Sequence, residues 1–140
     1  MSRLTQPLLT MCSIAGVILS TYLTIVSTQT QTACILNGLF SCDAVISSAY
    51  SKIMGIPVAV LGLVWFIVAT ALCLTSFLKP IPRLLLSWSI VGLLAIFPLV
   101  YTEIYLVGAL CLLCTLAHVL GIIIFVLSIV YWRTAQASKV

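Results

Sequence analysis

The C-terminal half of the chain contains the stretch 84–132, LLLSWSIVGLLAIFPLVYTEIYLVGALCLLCTLAHVLGIIIFVLSIVYW. Glu103 is the only residue in it that is charged at neutral pH. As one helix the stretch would be roughly 73 Å long, more than twice the ~30 Å hydrocarbon core of a bilayer. It must therefore fold back on itself, and Glu103 with Gly108 marks the predicted turn. This predicts two membrane spans, 84–104 and 109–132.

Two more apolar runs, 7–27 and 57–78, lie upstream of this stretch. The chain is 64% hydrophobic and 6% charged, with a mean hydropathy of +1.36. A soluble domain is about half apolar and about a quarter charged, so this composition excludes soluble, disordered and nucleic-acid-binding proteins. We predict an all-α fold, a four-helix transmembrane bundle forming a single domain over residues 1–140.

The first apolar run could instead belong to a cleaved signal peptide, because Arg3 precedes it. Its length of about 20 residues exceeds the 7–15 of a typical signal-peptide core, so we predict a retained span. Five of the six cations lie at the termini or in the predicted 79–83 turn: Arg3, Lys79, Arg83, Arg133 and Lys139. The positive-inside rule then predicts a multi-pass protein of the cell membrane with both termini cytoplasmic. The segment 28–56 would face outward.

The six cysteines divide into two groups by position. Cys12 and Cys73 lie inside apolar spans, where a buried thiol behaves as a small hydrophobic group. The other four lie at or beyond the outward span ends. Cys34 and Cys42 belong to the 28–56 segment, on the side where disulfides persist.

Cys111 and Cys114 form a Cys-Leu-Leu-Cys motif at the outward start of the last span. Helical spacing places both sulfurs on one face, and the helix N-terminus favours the thiolate, which predicts a lowered thiol pKa. Together with Cys34 and Cys42 they suit thiol–disulfide exchange. The sequence has no Gly-rich dinucleotide motif and no CxxCH haem site, so a membrane quinone is the predicted electron acceptor.

His118 lies on the same helical face as Cys111 and Cys114. We predict that His118 is a hydrogen-bond donor beside Cys114. One alternative is that it is only hydrogen-bonded to a neighbouring carbonyl. The other is a metal ligand, for which three ligands on one helix are a weak signal. Glu103 is predicted to lie hydrated at the membrane interface, with no role. Asp43 is predicted to cap a short helix over 44–53.

The combined pattern resembles the vitamin K epoxide reductase family over about residues 8–132. The residues that carry this resemblance are Cys34, Cys42, Val45-Ile46-Ser47-Ser48, Gly55-Ile56-Pro57, Gly62 and Cys111-Leu112-Leu113-Cys114. In the related disulfide bond formation protein B family the CxxC precedes the loop cysteines, whereas here it follows them. The order favours the epoxide reductase family.

The resemblance implies a bundle around a quinone such as ubiquinone, menaquinone or a vitamin K-like compound. Cys34 and Cys42 would be the shuttle pair, Cys42 would exchange with Cys111, and Cys114 would face the quinone. The chain ends soon after the last predicted span, so we expect the thioredoxin-like partner on the outer side to be a separate protein, as in prokaryotic members without a fused thioredoxin-like domain.

The quinone-contacting positions implied by the resemblance are Ile46, Ser48, Val58 and His118. Ser48 matches the loop serine or threonine of the family. Val58 and His118 stand where animal members carry an asparagine and a tyrosine. Without that asparagine, quinone reduction is a better expectation than epoxide reduction.

Two other function classes fit a chain of this kind. A small four-span transporter subunit would need an acid inside the bilayer, and neither Asp43 nor Glu103 is predicted to lie mid-span. A membrane metal-binding protein would use Cys111, Cys114 and His118. The leading prediction is a quinone-dependent thiol–disulfide oxidoreductase.

Overall fold

The computed structural model describes residues 2–29, 41–78 and 81–137. Within them, four helical segments are long and apolar enough to cross a membrane: Leu4–Gln29, Val58–Leu78, Pro82–Val107 and Leu112–Ala137. The first belongs to helix α1 (Ser2–Gln29) and the second is α3 (Val58–Leu78). The third combines α4 (Pro82–Tyr101) with a π-helical segment (Thr102–Val107), and the last is α5 (Leu112–Ala137). These helices confirm the predicted all-α architecture with four spans.

The bundle has two ends, which we call the terminal end and the loop end. The terminal end holds the start of α1 and the end of α5, and the loop end holds the segment 41–57. Helix α1 packs against α3 and α5, and α4 packs against α5, whereas α3 and α4 contact each other less.

Small residues allow the helices to approach closely. A Cβ atom at Gly16 would overlap the ring of Phe66, and one at Gly92 would overlap the indole of Trp65. Buried serines bond within their own helices: the Ser13 hydroxyl donates to the Leu9 carbonyl at 2.9 Å and the Ser128 hydroxyl to the Ile124 carbonyl at 2.7 Å. Such internal bonds satisfy polar groups where no water is present.

The largest buried cluster lies towards the terminal end of the bundle. It contains Leu9, Phe66, Cys73, Leu85, Ile124 and Tyr131. Large apolar side chains also cover much of the outer surface of the helices, among them Met11, Leu74, Leu94 and Phe97. That surface suits contact with lipid chains, in agreement with a multi-pass membrane protein.

A compact cap covers the loop end between α1 and α3. It comprises α2 (Cys42–Ile46), a 3-10 turn (Ala49–Ser51) and the antiparallel pair β1 (Lys52–Ile53) and β2 (Ile56–Pro57). Met54 and Gly55 connect the strands with φ of 53° and 85°. Positive φ at both central residues is typical of two-residue hairpin turns.

The predicted helix over 44–53 with Asp43 at its N-cap is wrong. Ser41 is the N-cap, its hydroxyl accepting from the Ala44 N–H at 3.3 Å, and the helix ends at Ile46. The hydroxyls of Ser47 and Ser48 donate to the Asp43 and Val45 carbonyls at 2.6 and 2.8 Å. Consecutive serines thus offer the backbone an alternative to a longer helix.

Of the turn predicted at Glu103 with Gly108, only the Gly108 part is correct. The helix continues through Glu103 to Val107, and Gly108 ends it with φ 68°. The Ala109 N–H donates to the Glu103 carbonyl at 3.2 Å, closing the widened last turn. A left-handed glycine is a common helix terminator, and it shifts the chain reversal to 108–111. Span three is therefore longer than predicted, and span four begins at Leu112.

Candidate redox site

Three cysteine side chains meet at the loop end of the bundle. Cys42 opens α2, Cys111 directly precedes α5, and Cys114 lies in the first turn of α5. The Cys111 side chain is hydrogen-bonded to the side chains of both Cys42 and Cys114. The Cys111 side chain therefore contacts both of the others, as thiol–disulfide exchange among them would require.

Cys42 and Cys111 are almost completely buried, with 1% and 0% of their surfaces exposed, and they pack against Leu23 of α1. Cys114 is only partly buried. The Cys114 N–H donates to the Cys111 sulfur at 3.3 Å, which fixes the two residues relative to each other at the start of α5. Cys111 and Cys114 are both free thiols in this structure.

The predicted lowering of thiol pKa at the start of α5 is wrong for Cys111. Its hydrogen bond to the Cys114 side chain, followed by burial, raises the pKa of the Cys111 thiol. Desolvation disfavours the charged thiolate, and here it outweighs the helix terminus.

A cavity of about 590 Å³ lies beside these sulfurs and is lined mostly by apolar atoms. The four long helices form its walls, and the cap covers it at the loop end. Pockets of about 300–1,000 Å³ with few polar groups are typical of small-molecule sites. The volume and lining fit an aromatic ring with two polar oxygens, such as a quinone head group.

The predicted quinone-contacting residues all line this one cavity. Ile46 and Ser48 contribute from the cap, Val58 from the start of α3, and His118 from α5. Cys114 also lines the cavity, whereas Cys111 is not among the residues that line it. Of the two cysteines in the motif, Cys114 is therefore the one adjacent to the cavity.

Glu103 is a site residue that the sequence interpretation missed. It was predicted to be hydrated at the interface, but it is 6% exposed and lines the cavity. Its carboxylate accepts a hydrogen bond from the backbone N–H of Cys111. Gly108 was the available signal, because a glycine terminator at 108 would have placed Glu103 inside the helix.

The remaining predicted positions lie elsewhere. Cys34 falls outside the described residues. Cys73 is buried in the terminal-end cluster, where its sulfur lies 3.7 Å from the Ser13 hydroxyl, and Cys12 packs against the same cluster. Neither of these two lines the cavity.

A metal site is not assembled by the residues that could have formed one. Across residues 2–29, 41–78 and 81–137, no three His, Cys, Asp or Glu side chains lie where they could hold a metal ion. Cys111, Cys114 and His118 therefore share a helical face without converging on one point.

Sequence comparison agrees with this arrangement. A family model described as the vitamin K epoxide reductase family matches residues 7–129 of the 140-residue chain. The chain belongs to the vitamin K epoxide reductase family. Among curated proteins, none matches the chain. Vitamin K epoxide reductase family proteins are oxidoreductases, and membership supports a membrane redox function that involves cysteines.

Proposed function

We propose that this protein is a membrane thiol oxidase that makes disulfides in a partner protein and delivers the electrons to a quinone. Cys34 and Cys42 would accept electrons from a separate thioredoxin-like protein outside the cell membrane. Cys111 and Cys114 would pass two electrons to the quinone. The observation that carries the proposal is that Cys111 contacts both Cys42 and Cys114, and that Cys114 lines an apolar cavity.

The first half of the cycle is thiol–disulfide exchange between the two pairs. The Cys42 thiolate attacks the Cys111 sulfur of an oxidised Cys111–Cys114 pair, and Cys114 leaves as the thiolate. Cys34 then attacks Cys42, forming the Cys34–Cys42 disulfide and releasing Cys111. The contact between the Cys42 and Cys111 side chains supports this order.

The second half restores the Cys111–Cys114 disulfide. A quinone held in the cavity would supply an acceptor for two electrons and two protons. Cys114 lines the cavity and is hydrogen-bonded to Cys111, which supports a disulfide forming between them as the electrons leave. His118 lines the cavity about one helical turn deeper than Cys114, where an N–H donor would stabilise developing negative charge.

The test uses purified protein in detergent with short-chain ubiquinone and menadione as acceptors and reduced thioredoxin as the thiol donor. We expect quinone reduction that is coupled one-to-one to thioredoxin oxidation. A Cys12→Ala variant is the matched control and should keep full turnover. If the folded protein reduced no quinone with any thiol donor, the proposal would be refuted.

The sulfur that faces the acceptor can be identified separately. In Cys111→Ala, Cys114 remains as the one sulfur of the motif beside the cavity, and we expect a visible charge-transfer absorbance when menadione is added. The Cys114→Ala protein should show none. If the absorbance appeared only in Cys114→Ala, the two roles would have to be exchanged.

The proposed orientation, with cytoplasmic termini, has its own test. Met54 in the cap is 98% exposed and Leu78 at the end of α3 is 92% exposed, and they lie at opposite ends of the bundle. A membrane-impermeant thiol reagent applied to intact cells should label Met54→Cys and leave Leu78→Cys unlabelled. The reverse pattern would mean that the orientation is inverted.

A further inference from the structure

The Cys111 thiol has no exposed surface from which its proton could pass directly to bulk water. Its side chain is hydrogen-bonded to the side chains of Cys42 and Cys114. Forming the Cys111–Cys114 disulfide nevertheless removes one proton from each thiol. A protein group beside Cys111 must therefore take its proton as the S–S bond forms.

Glu103 is placed to be that group. Its carboxylate accepts the backbone N–H of Cys111, and a partner of that nitrogen lies within about 7 Å of the residue's own sulfur. A proton passes between heavy atoms about 2.6–3.2 Å apart or through one bridging water, so transfer from the Cys111 sulfur to the carboxylate would use one water. The carboxylate is buried in the π-helical segment and also lines the cavity, so it joins the sulfur pair to the acceptor site.

We propose that Glu103 accepts the proton of the Cys111 thiol when Cys111 bonds to Cys114. This inference rests on the proposed thiol-oxidase function. Cys111–SH and Cys114–SH become the disulfide, two electrons pass to the quinone, and two protons are released. One proton goes to Glu103 and then to the cavity, and the other leaves Cys114 directly on its cavity side.

The widened helical turn gives Glu103 this position. In the π-helical segment the Glu103 backbone carbonyl accepts from Ala109, while its side chain accepts from Cys111. The same residue thus ties the end of span three to the start of span four. Buried carboxylates tuned by their surroundings are common as general bases.

The test isolates S–S bond formation from quinone and partner. Reduced protein with Cys34→Ala and Cys42→Ala is mixed with uncharged dithiodipyridine, which reaches Cys114 through the cavity and forms a mixed disulfide. Cys111 then attacks the Cys114 sulfur and expels thiopyridone, whose absorbance reports the step. This second phase does not depend on reagent concentration, and it involves only the chain's own residues.

Glu103→Gln is the decisive variant, because the amide oxygen still accepts the Cys111 N–H but takes no proton. We expect the second phase to slow by about 100-fold near neutral pH, within the range of a positioned general base. Wild-type closure should accelerate with pH as Glu103 deprotonates, and that step should vanish in Glu103→Gln. Glu103→Asp should restore it.

The wild type, Glu103→Gln and Glu103→Asp share every other titratable group, so a difference between their pH profiles is due to residue 103. The titratable side chains that line the cavity together with Glu103 are Tyr50, Lys52, Cys114 and His118. A Ser89→Ala variant, altered at a buried α4 serine away from the cavity, is the control for general loosening and should close at the wild-type rate.

An equal rate and an equal pH profile in Glu103→Gln would overturn the inference. So would a uniform slowing at every pH, since that is the mark of lost positioning. Should the variant not fold, wild-type closure in deuterated water decides, and an unchanged rate would exclude proton transfer in this step. Because the assay contains no quinone or thioredoxin, its outcome is independent of whether the proposed function holds.

Discussion

Cys73 and Cys111 are two cysteines with the same burial and different surroundings. Cys73 is 2% exposed and Cys111 is 0% exposed, so accessibility does not distinguish them. Cys73 lies near the Ser13 hydroxyl within a cluster of aliphatic and aromatic side chains. Cys111 contacts two other cysteine side chains, and a carboxylate binds its backbone. The reactive potential of a buried thiol is therefore set by its neighbours.

The largest effect should come from removing the sulfur nearest the cavity. We expect Cys114→Ala to reduce quinone reduction at least about 100-fold with any thiol donor, because a lost covalent centre has no substitute. Cys73→Ala should retain turnover, with a loss of stability of about 1 kcal/mol. Steady-state quinone reduction together with thermal unfolding measures both. If folded Cys73→Ala lost as much activity as Cys114→Ala, the proposed difference between the cysteines at the two ends of the bundle would be wrong.

A selective loss is expected for the exchanging sulfur at the loop end. Cys42→Ala should abolish oxidation of reduced thioredoxin and leave a dithiothreitol-driven reaction, since a small dithiol can attack the Cys111–Cys114 disulfide at Cys114, which lines the cavity. Cys34→Ala should behave in the same way. The two donors are compared on one preparation, and loss of both activities in Cys42→Ala would show that the residue is needed for more than the relay.

A smaller effect is expected at the histidine. His118→Ala should slow quinone reduction by about 10- to 100-fold, as expected when one preorganised donor is lost. Exchange between thioredoxin and the cysteines should change much less, because His118 lines the cavity and does not contact Cys42 or Cys111 in the interactions described. Rapid-mixing measurements separate the two half-reactions. If neither slows, His118 is a packing residue.

The smallest effect concerns packing around the cavity. Gly92→Ala should destabilise the protein by about 1–3 kcal/mol, because the new methyl group overlaps the Trp65 indole. The matched change Gly62→Ala should be nearly neutral, since its nearest neighbour is the Ser20 hydroxyl oxygen at 3.8 Å. The free energies of unfolding of the two variants are compared in detergent. An equally unstable Gly62→Ala would mean that the cavity side is as tightly packed as the helix interface.

The number of spans could be predicted because hydropathy depends only on local composition. The grouping of Cys42, Cys111 and Cys114 at one end also followed, since the span boundaries fix the end of the bundle at which each residue lies. The contact between Cys42 and Cys111 could not be predicted in this way. It depends on the packing of Cys42 against Leu23 of α1, which the sequence of α2 does not reveal.

Glu103 shows where sequence interpretation fails in this molecule. A charge between two apolar runs suggests a hydrated turn, and this interpretation assumes that the helix stops there. The π-helical segment instead carries the chain to Gly108, and burial is made possible by the Cys111 N–H. Hydropathy cannot detect a hydrogen bond formed across the following turn.

The apolar cavity and the covered sulfurs have a consequence for leakage of electrons. In the proposed cycle, soluble thiols such as glutathione would reduce the quinone wastefully if they reached Cys111. A charged tripeptide would have to shed its hydration to enter an apolar space, which is costly, and Cys111 itself offers no exposed surface. In the proposed cycle, the fold would thus restrict electron entry to protein substrates that react with Cys34 and Cys42.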